Sequence, residues 1–192
     1  MGLYERDLRA LLDDIAGPSP APGAGAVSAV VTAMAAGLIA SAARRSPDWT
    51  EARGVSAQAQ SLRARVEKLA EANEEAYLAA LALIDGAAET GGRDEAFGKA
   101  LDAAAELPLA IAECAYDVSL LGAEAATNSA PGGAEDAAAA AMLAEAAARA
   151  AAGLVAANLV SVPGDERVAQ AQRFAAAATD AARRAVAATA RG

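Results

Sequence analysis

The sequence predicts an all-α protein: an antiparallel bundle of about six alanine-rich helices with one long central helix. Three observations carry that expectation. About a third of the 192 residues are alanine, the best helix former. The apolar positions recur at helical spacing, and Pro and Gly cluster only at a few points that divide the chain into long segments. Only 3% of residues are aromatic, so the core must be built by close approach of helices rather than by bulky side chains. The length suits one domain over residues 1–192, with no internal repeat or linker.

The first helix carries Tyr4, Leu8, Leu11, Leu12 and Ile15 on one face and stops at Gly17 and the prolines Pro18, Pro20 and Pro22. The second begins in "PSPAPGAGAVSAVVTAMAAGLIASAARR", which has no charge from Gly17 until Arg44. It is long enough to cross a bilayer, but it consists mostly of small residues, and a buried core helix is expected. Ala29, Ala33, Gly37 and Ser41, four apart, form a ladder against which another backbone could pack closely.

The third helix is expected from about Thr50 to Ile84. Leu62, Val66, Leu69, Asn73, Ala76 and Ala80 alternate four and three apart, and Asn73 is the polar exception on this seam. A fourth helix is expected from about Asp94 to Glu124, kinked or divided at Pro108. The loop around Asn128, Pro131, Gly132 and Gly133 then leads to a fifth, alanine-rich helix with Glu135 and Asp136 in its first turn. Pro163 and Gly164 end that helix, and a last amphipathic helix runs to about Ala190.

Charge and composition exclude several functions. A formal net charge of −9 argues against a nucleic-acid partner, whose phosphates need clustered Lys and Arg. With no histidine and one cysteine, zinc and triad chemistry are closed, and no metal is expected. Cys114 lies in an apolar run and reads as a buried thiol in a reducing compartment. The charged N-terminus lacks the apolar run of a signal peptide, so a cytoplasmic location without membrane association is expected.

The polar exceptions on otherwise apolar faces are the Gly23/Gly25 turn, Asn73, the segment from Asn128 to Asp136, and Asn158. Taken singly, each has a structural explanation. "PGAG" lacks the Lys-Ser/Thr ending of a phosphate loop, Asp136 can cap or complement a helix dipole, and a buried asparagine can bond within a bundle. Asp136 and Asn158 stand about 33 Å apart along one straight helix, so they cannot line one small pocket within a single chain.

In combination these positions resemble the cyclodeaminase/cyclohydrolase family over nearly the whole chain. That family includes the cyclodeaminase domain of formiminotransferase-cyclodeaminase and the methenyltetrahydrofolate cyclohydrolases. Its members carry proline and then Gly-Gly-Gly-Ser at the start of helix two, where this chain has Pro22, Gly23, Ala24, Gly25 and Ala26. They carry an aspartate four residues before an aromatic in helix three, where this chain has Asn73 and Tyr77. Leu107-Pro108-Leu109, the segment from Asn128 to Glu135-Asp136, and "LVAANL" ending in Asn158-Leu159 are similar to three further family motifs.

The resemblance implies a homodimer with the ligand near the subunit interface, and a tetrahydrofolate derivative as substrate with no separate cofactor. It implies hydrolysis of the one-carbon bridge of 5,10-methenyltetrahydrofolate, with formiminotetrahydrofolate cyclodeamination second because no transferase domain is fused to the chain. Asn73 and Asp136 would be the catalytic positions, and Gly23, Gly25, Tyr77, Asn128 and Asn158 the substrate-binding ones. The departures fall in this machinery. Asn73 cannot take a proton as a base, Ala24 adds a methyl, Ala26 removes a hydroxyl, and the Pro-Lys that commonly follows the helix-three aromatic is missing. Glu74 could replace the carboxylate only if the helix turned by about 100°. The alternatives are a repurposed small-molecule-binding dimer that has lost the reaction, and a partner-binding bundle unrelated to folates.

Overall fold

The computed structural model describes residues 2–19, 21–90, 100, 104–160 and 162–190. Among these residues the regular structure is helical. A 3₁₀ turn, Leu3–Glu5, leads to α1 (Leu8–Ala16), α2 (Ala24–Arg44), α3 (Ala52–Thr90), α4 (Glu106–Asn128), α5 (Gly133–Asn158) and α6 (Glu166–Thr189). Helix α2 is central: it packs on α3, α4 and α5, while α6 covers α4 and α5 from the other side.

The apolar run of α2 is used largely in the core of the bundle. Its membrane-length window is 67% buried inside the bundle. Its two buried hydroxyls do not go unpaired, since Ser28 donates to the Ala24 carbonyl at 2.7 Å and Thr32 to the Ser28 carbonyl at 2.8 Å. The small-residue ladder is only half realised. Ala29 and Ala33 are buried, but a Cβ at Gly37 would meet nothing within 4 Å. The tight glycine is instead Gly122, where an added Cβ would stand 2.9 Å from the Ala141 Cβ and 3.1 Å from the Ala137 carbonyl oxygen. Here α4 and α5 are in close contact, which is how an alanine core reaches packing density.

The α3 seam changes partner along its length. Val66 is fully buried and Leu62 and Leu69 are partly buried in the core, whereas Asn73, Ala76 and Ala80 line a cleft. Pro108 marks the expected division of the segment, which is helical at Ala104, turns at Ala105 and restarts as α4 at Glu106. It sits in the first turn, where its missing N–H removes no helical bond. The earlier part of the helix expected from Asp94 lies largely outside the described residues.

At the N-terminus, Tyr4 belongs to the 3₁₀ turn, and α1 starts later, capped by the Asp7 carboxylate on the Ala10 N–H. Leu3 is buried and Leu11 packs on the core, but Leu8, Leu12 and Ile15 remain exposed. These side chains and Val27, Val30 and Met34 of α2 line an apolar groove. Helix α5 ends at Asn158, before Pro163. At the opposite end of the bundle Ser46 ties two loops together. It donates to the Ala42 carbonyl and accepts from the Ala130 N–H, both within 2.9 Å.

Candidate functional site

A cleft of about 410 Å³ opens where the start of α2, the middle of α3 and the end of α5 converge. Gly23, Gly25, Asn73, Tyr77 and Asn158 all line it, so five of the seven positions singled out in the sequence come together. The remaining walls are apolar: Ala76, Ala80 and Leu81 from α3, Leu107 and Pro108 from α4, and Leu154 from α5. Its size and its mixture of apolar walls with a few convergent polar groups suit a small-molecule ligand.

Asn73 is the centre of this arrangement. Its carboxamide lies directly against Gly25, where an added Cβ would stand 2.8 Å from both Cγ and Nδ2 and closer still to Oδ1. Only glycine permits that approach. The Asn73 Oδ1 is fully buried and has no hydrogen-bond partner among the described residues. An unsatisfied buried carbonyl costs about 1–3 kcal/mol, so native structures rarely keep one without a use for it.

The other polar groups are placed more conventionally. Gly23 caps α2 without a side chain, which leaves N–H groups of the first helical turn available to a ligand. Asn158 donates through Nδ2 to the Ala104 carbonyl at 3.1 Å, which orients its amide and leaves Oδ1 as an acceptor. Tyr77 is 40% exposed.

Asn128 and Asp136 stand apart from this cleft within one chain, at the other end of α5. Asp136 pairs with Arg45 at the end of α2, both side chains being about half exposed. Such a pair contributes less than about 1 kcal/mol. Asn128 is exposed, and its amide donates to the Glu124 carbonyl at 2.8 Å. Glu135 accepts from the Gly132 N–H at 2.7 Å and so closes the turn into α5. Glu74 does not substitute for a carboxylate at position 73, because it pairs with Arg6 at 3.1 Å.

The cleft therefore has no carboxylate among its described lining residues. No group of three or more His, Cys, Asp or Glu side chains among the described residues could hold a metal ion. Cys114 is fully buried, and burial pushes its thiol up to about 11, which makes it unreactive at neutral pH. The Arg6–Glu74 contact beside the site had no signal in the sequence, since its partners lie 68 residues apart.

Comparison with known proteins places the fold and the family. The crystal structure of formiminotetrahydrofolate cyclodeaminase from Thermotoga maritima superimposes with a TM-score of 0.82 over 95% of each chain, at 22% identity. At that identity the likeness speaks for the fold. No curated protein matches the chain. The family model for formiminotransferase-cyclodeaminase matches residues 7–178, nearly the full length. On that match, the chain belongs to the formiminotransferase-cyclodeaminase family.

Proposed function

We propose that the protein binds a one-carbon adduct of tetrahydrofolate in this cleft and acts as a formiminotetrahydrofolate cyclodeaminase. The observation that carries the reading is the unpaired, buried Asn73 Oδ1 held against Gly25 on the cleft wall. The flat ring would lie against the Gly23/Gly25 backbone, between the apolar walls. Asn73 Oδ1 would accept a hydrogen bond from the formimino N–H, and Asn158 and Tyr77 would hold the rest of the adduct.

This reverses the order expected from the sequence, where hydrolysis came first. Hydrolysis of a methenyl bridge needs a water deprotonated in place, and a positioned base typically supplies ~10²–10⁴ in rate. Cyclodeamination brings its own nucleophile. The folate's neighbouring secondary-amine nitrogen attacks the carbon of the protonated formimino group, forming a C–N bond and an aminal. The proton that this nitrogen gives up is relayed by solvent at the open mouth of the cleft to the former imino nitrogen, which leaves as ammonia as its C–N bond breaks and the methenyl cation forms. Holding two groups of one molecule in contact is a task that neutral side chains can perform, and orientation of this kind supplies several kcal/mol of a barrier. No separate cofactor is required, and the lone thiol suits a cytoplasmic setting.

Asn128 and Asp136 would take part only through a homodimer that brings the start of α5 in one subunit to the cleft of the other. Asp136 would then be the proton carrier that the cleft lacks.

The test is turnover of 5-formiminotetrahydrofolate by purified protein. Methenyl absorbance and ammonia should both appear faster than in buffer, and Asn73→Ala should abolish the difference. Binding of the adduct without ammonia release would identify a non-catalytic member of the family. Accelerated decay of the methenyl compound alone would restore hydrolysis to first place.

A further inference from the structure

We infer that Arg6, at the junction of the 3₁₀ turn and α1, is a positioning residue for the cleft, setting the rotation of α3 and thereby the placement of Asn73. The inference rests on the cleft being the working site. Arg6 Nη2 stands 3.1 and 3.4 Å from the two Glu74 carboxylate oxygens, and its Nη1 donates to Asp14 at 3.1 Å. The Arg6 and Glu74 side chains are only 18% and 13% exposed, so solvent screens this pair far less than the surface pairs elsewhere on the molecule. Leu3, buried beside Val66 and Ala70 of α3, anchors the same N-terminal segment from the apolar side.

Glu74 follows Asn73 directly, so its side chain leaves α3 about 100° around the axis. Fixing Glu74 therefore fixes the direction in which Asn73 points. No hydrogen bond to the Asn73 Oδ1 from the described residues sets that direction. A side-chain tip lies about 5–6 Å from the helix axis, so a rotation of about 20° would carry the carboxamide about 2 Å. A misplacement of about 1 Å can cost about a hundredfold in a reaction that depends on orientation. The pair acts at a distance from the ligand: Arg6 does not line the cleft.

The test has a readout that needs no ligand. The side-chain amide cross-peaks of Asn73, identified by their loss in Asn73→Asp, should shift in Arg6→Ala and in Glu74→Gln. They should stay in place in Asp14→Ala and in Arg65→Ala, which removes a more exposed pair between α3 and Glu113 of α4. In parallel, Arg6→Ala should weaken binding of a formyl- or formiminotetrahydrofolate about tenfold, Arg6→Lys should recover most of that loss, and Arg6→Ala/Glu74→Gln should be no worse than either single change. If Arg6→Ala does not fold, Arg6→Gln takes its place. Unmoved Asn73 cross-peaks, or additive losses in the double variant, overturn the inference. If the cross-peaks move but wild-type protein binds no folate, the proposed function fails and the positioning role stands.

Discussion

Replacing Gly25 and Gly122 separately with alanine should separate function from stability, because the two added methyls meet different kinds of neighbour. At Gly122 the new Cβ would lie 2.9 Å from the Ala141 Cβ and 3.1 Å from both the Ala137 carbonyl oxygen and the Ala141 Cα. Nothing there can rotate away, so α4 and α5 must separate. Overpacking of this kind costs about 1–3 kcal/mol, offset by up to about 1 kcal/mol of helix propensity at an interior position. A net loss of about 1–2 kcal/mol corresponds to a fall in Tm of roughly 2–8 °C for a chain of this size. At Gly25 the new Cβ would instead meet the carboxamide tip of Asn73, 2.8 Å from Cγ and Nδ2. That tip has torsional freedom and a cleft beside it. It swings aside for about 0.5–1.5 kcal/mol, the cost of leaving a rotamer well. Thermal unfolding followed by circular dichroism and calorimetric titration with a tetrahydrofolate adduct would read the two effects. Gly122→Ala should lower Tm and leave affinity nearly unchanged, whereas Gly25→Ala should lower affinity at least tenfold with Tm within about 3 °C of wild type. The reasoning is refuted if Gly25→Ala binds normally, or if it destabilises the protein as much as Gly122→Ala.

Asn73→Ala should be at least as stable as wild type, because it removes a buried acceptor that has no partner, and it should lose ligand binding; a lower Tm would mean that Asn73 serves packing. Asp117→Asn should stabilise the protein at pH 7. Burial, and then the neighbouring Glu113, raise the Asp117 carboxyl above its ordinary value, so the native state binds the proton more tightly and stability falls as pH rises from about 4 through the raised value. The gain should vanish in denaturation curves recorded below pH 4. Cys114 should react with a thiol-directed chromogenic disulfide only as fast as the native fold opens, since its thiol is buried and raised to about 11; immediate labelling at pH 7 would contradict the packing around it. Asp136→Ala should change Tm by less than about 2 °C, because its Arg45 partner is half exposed; a loss of turnover without a change in Tm would support a role across a dimer.

The order and approximate bounds of the described helices were legible because alanine content, periodicity and Pro/Gly punctuation are local signals that agree with one another. Pro108 shows where local reading stops. A proline mid-segment reads as a kink or a division, and only the structure decides between them: the chain turns at Ala105 and α4 restarts at Glu106, with Pro108 in its first turn. The α1 face misled for a related reason. Amphipathic spacing shows that a helix has an apolar side without showing that anything covers it, and Leu8, Leu12 and Ile15 stay open. Among the glycines, the four-residue ladder pointed to Gly37, while the close helix contact lies at Gly122, because which faces meet depends on the partner helix. The site was legible as a set of polar exceptions on apolar faces. The contact of Gly25 with Asn73, between segments nearly 50 residues apart, follows from packing, as does the Arg6–Glu74 pair.

A crystal structure with a tetrahydrofolate adduct soaked in tests the account most directly. The account predicts the pterin ring between Gly25 and the Leu154 wall, with one polar atom of the ligand within hydrogen-bond distance of Asn73 Oδ1. A ligand seated elsewhere, for instance in the roughly 480 Å³ groove lined by Gln58, Ser61 and Asp117, with Asn73 untouched, would contradict it.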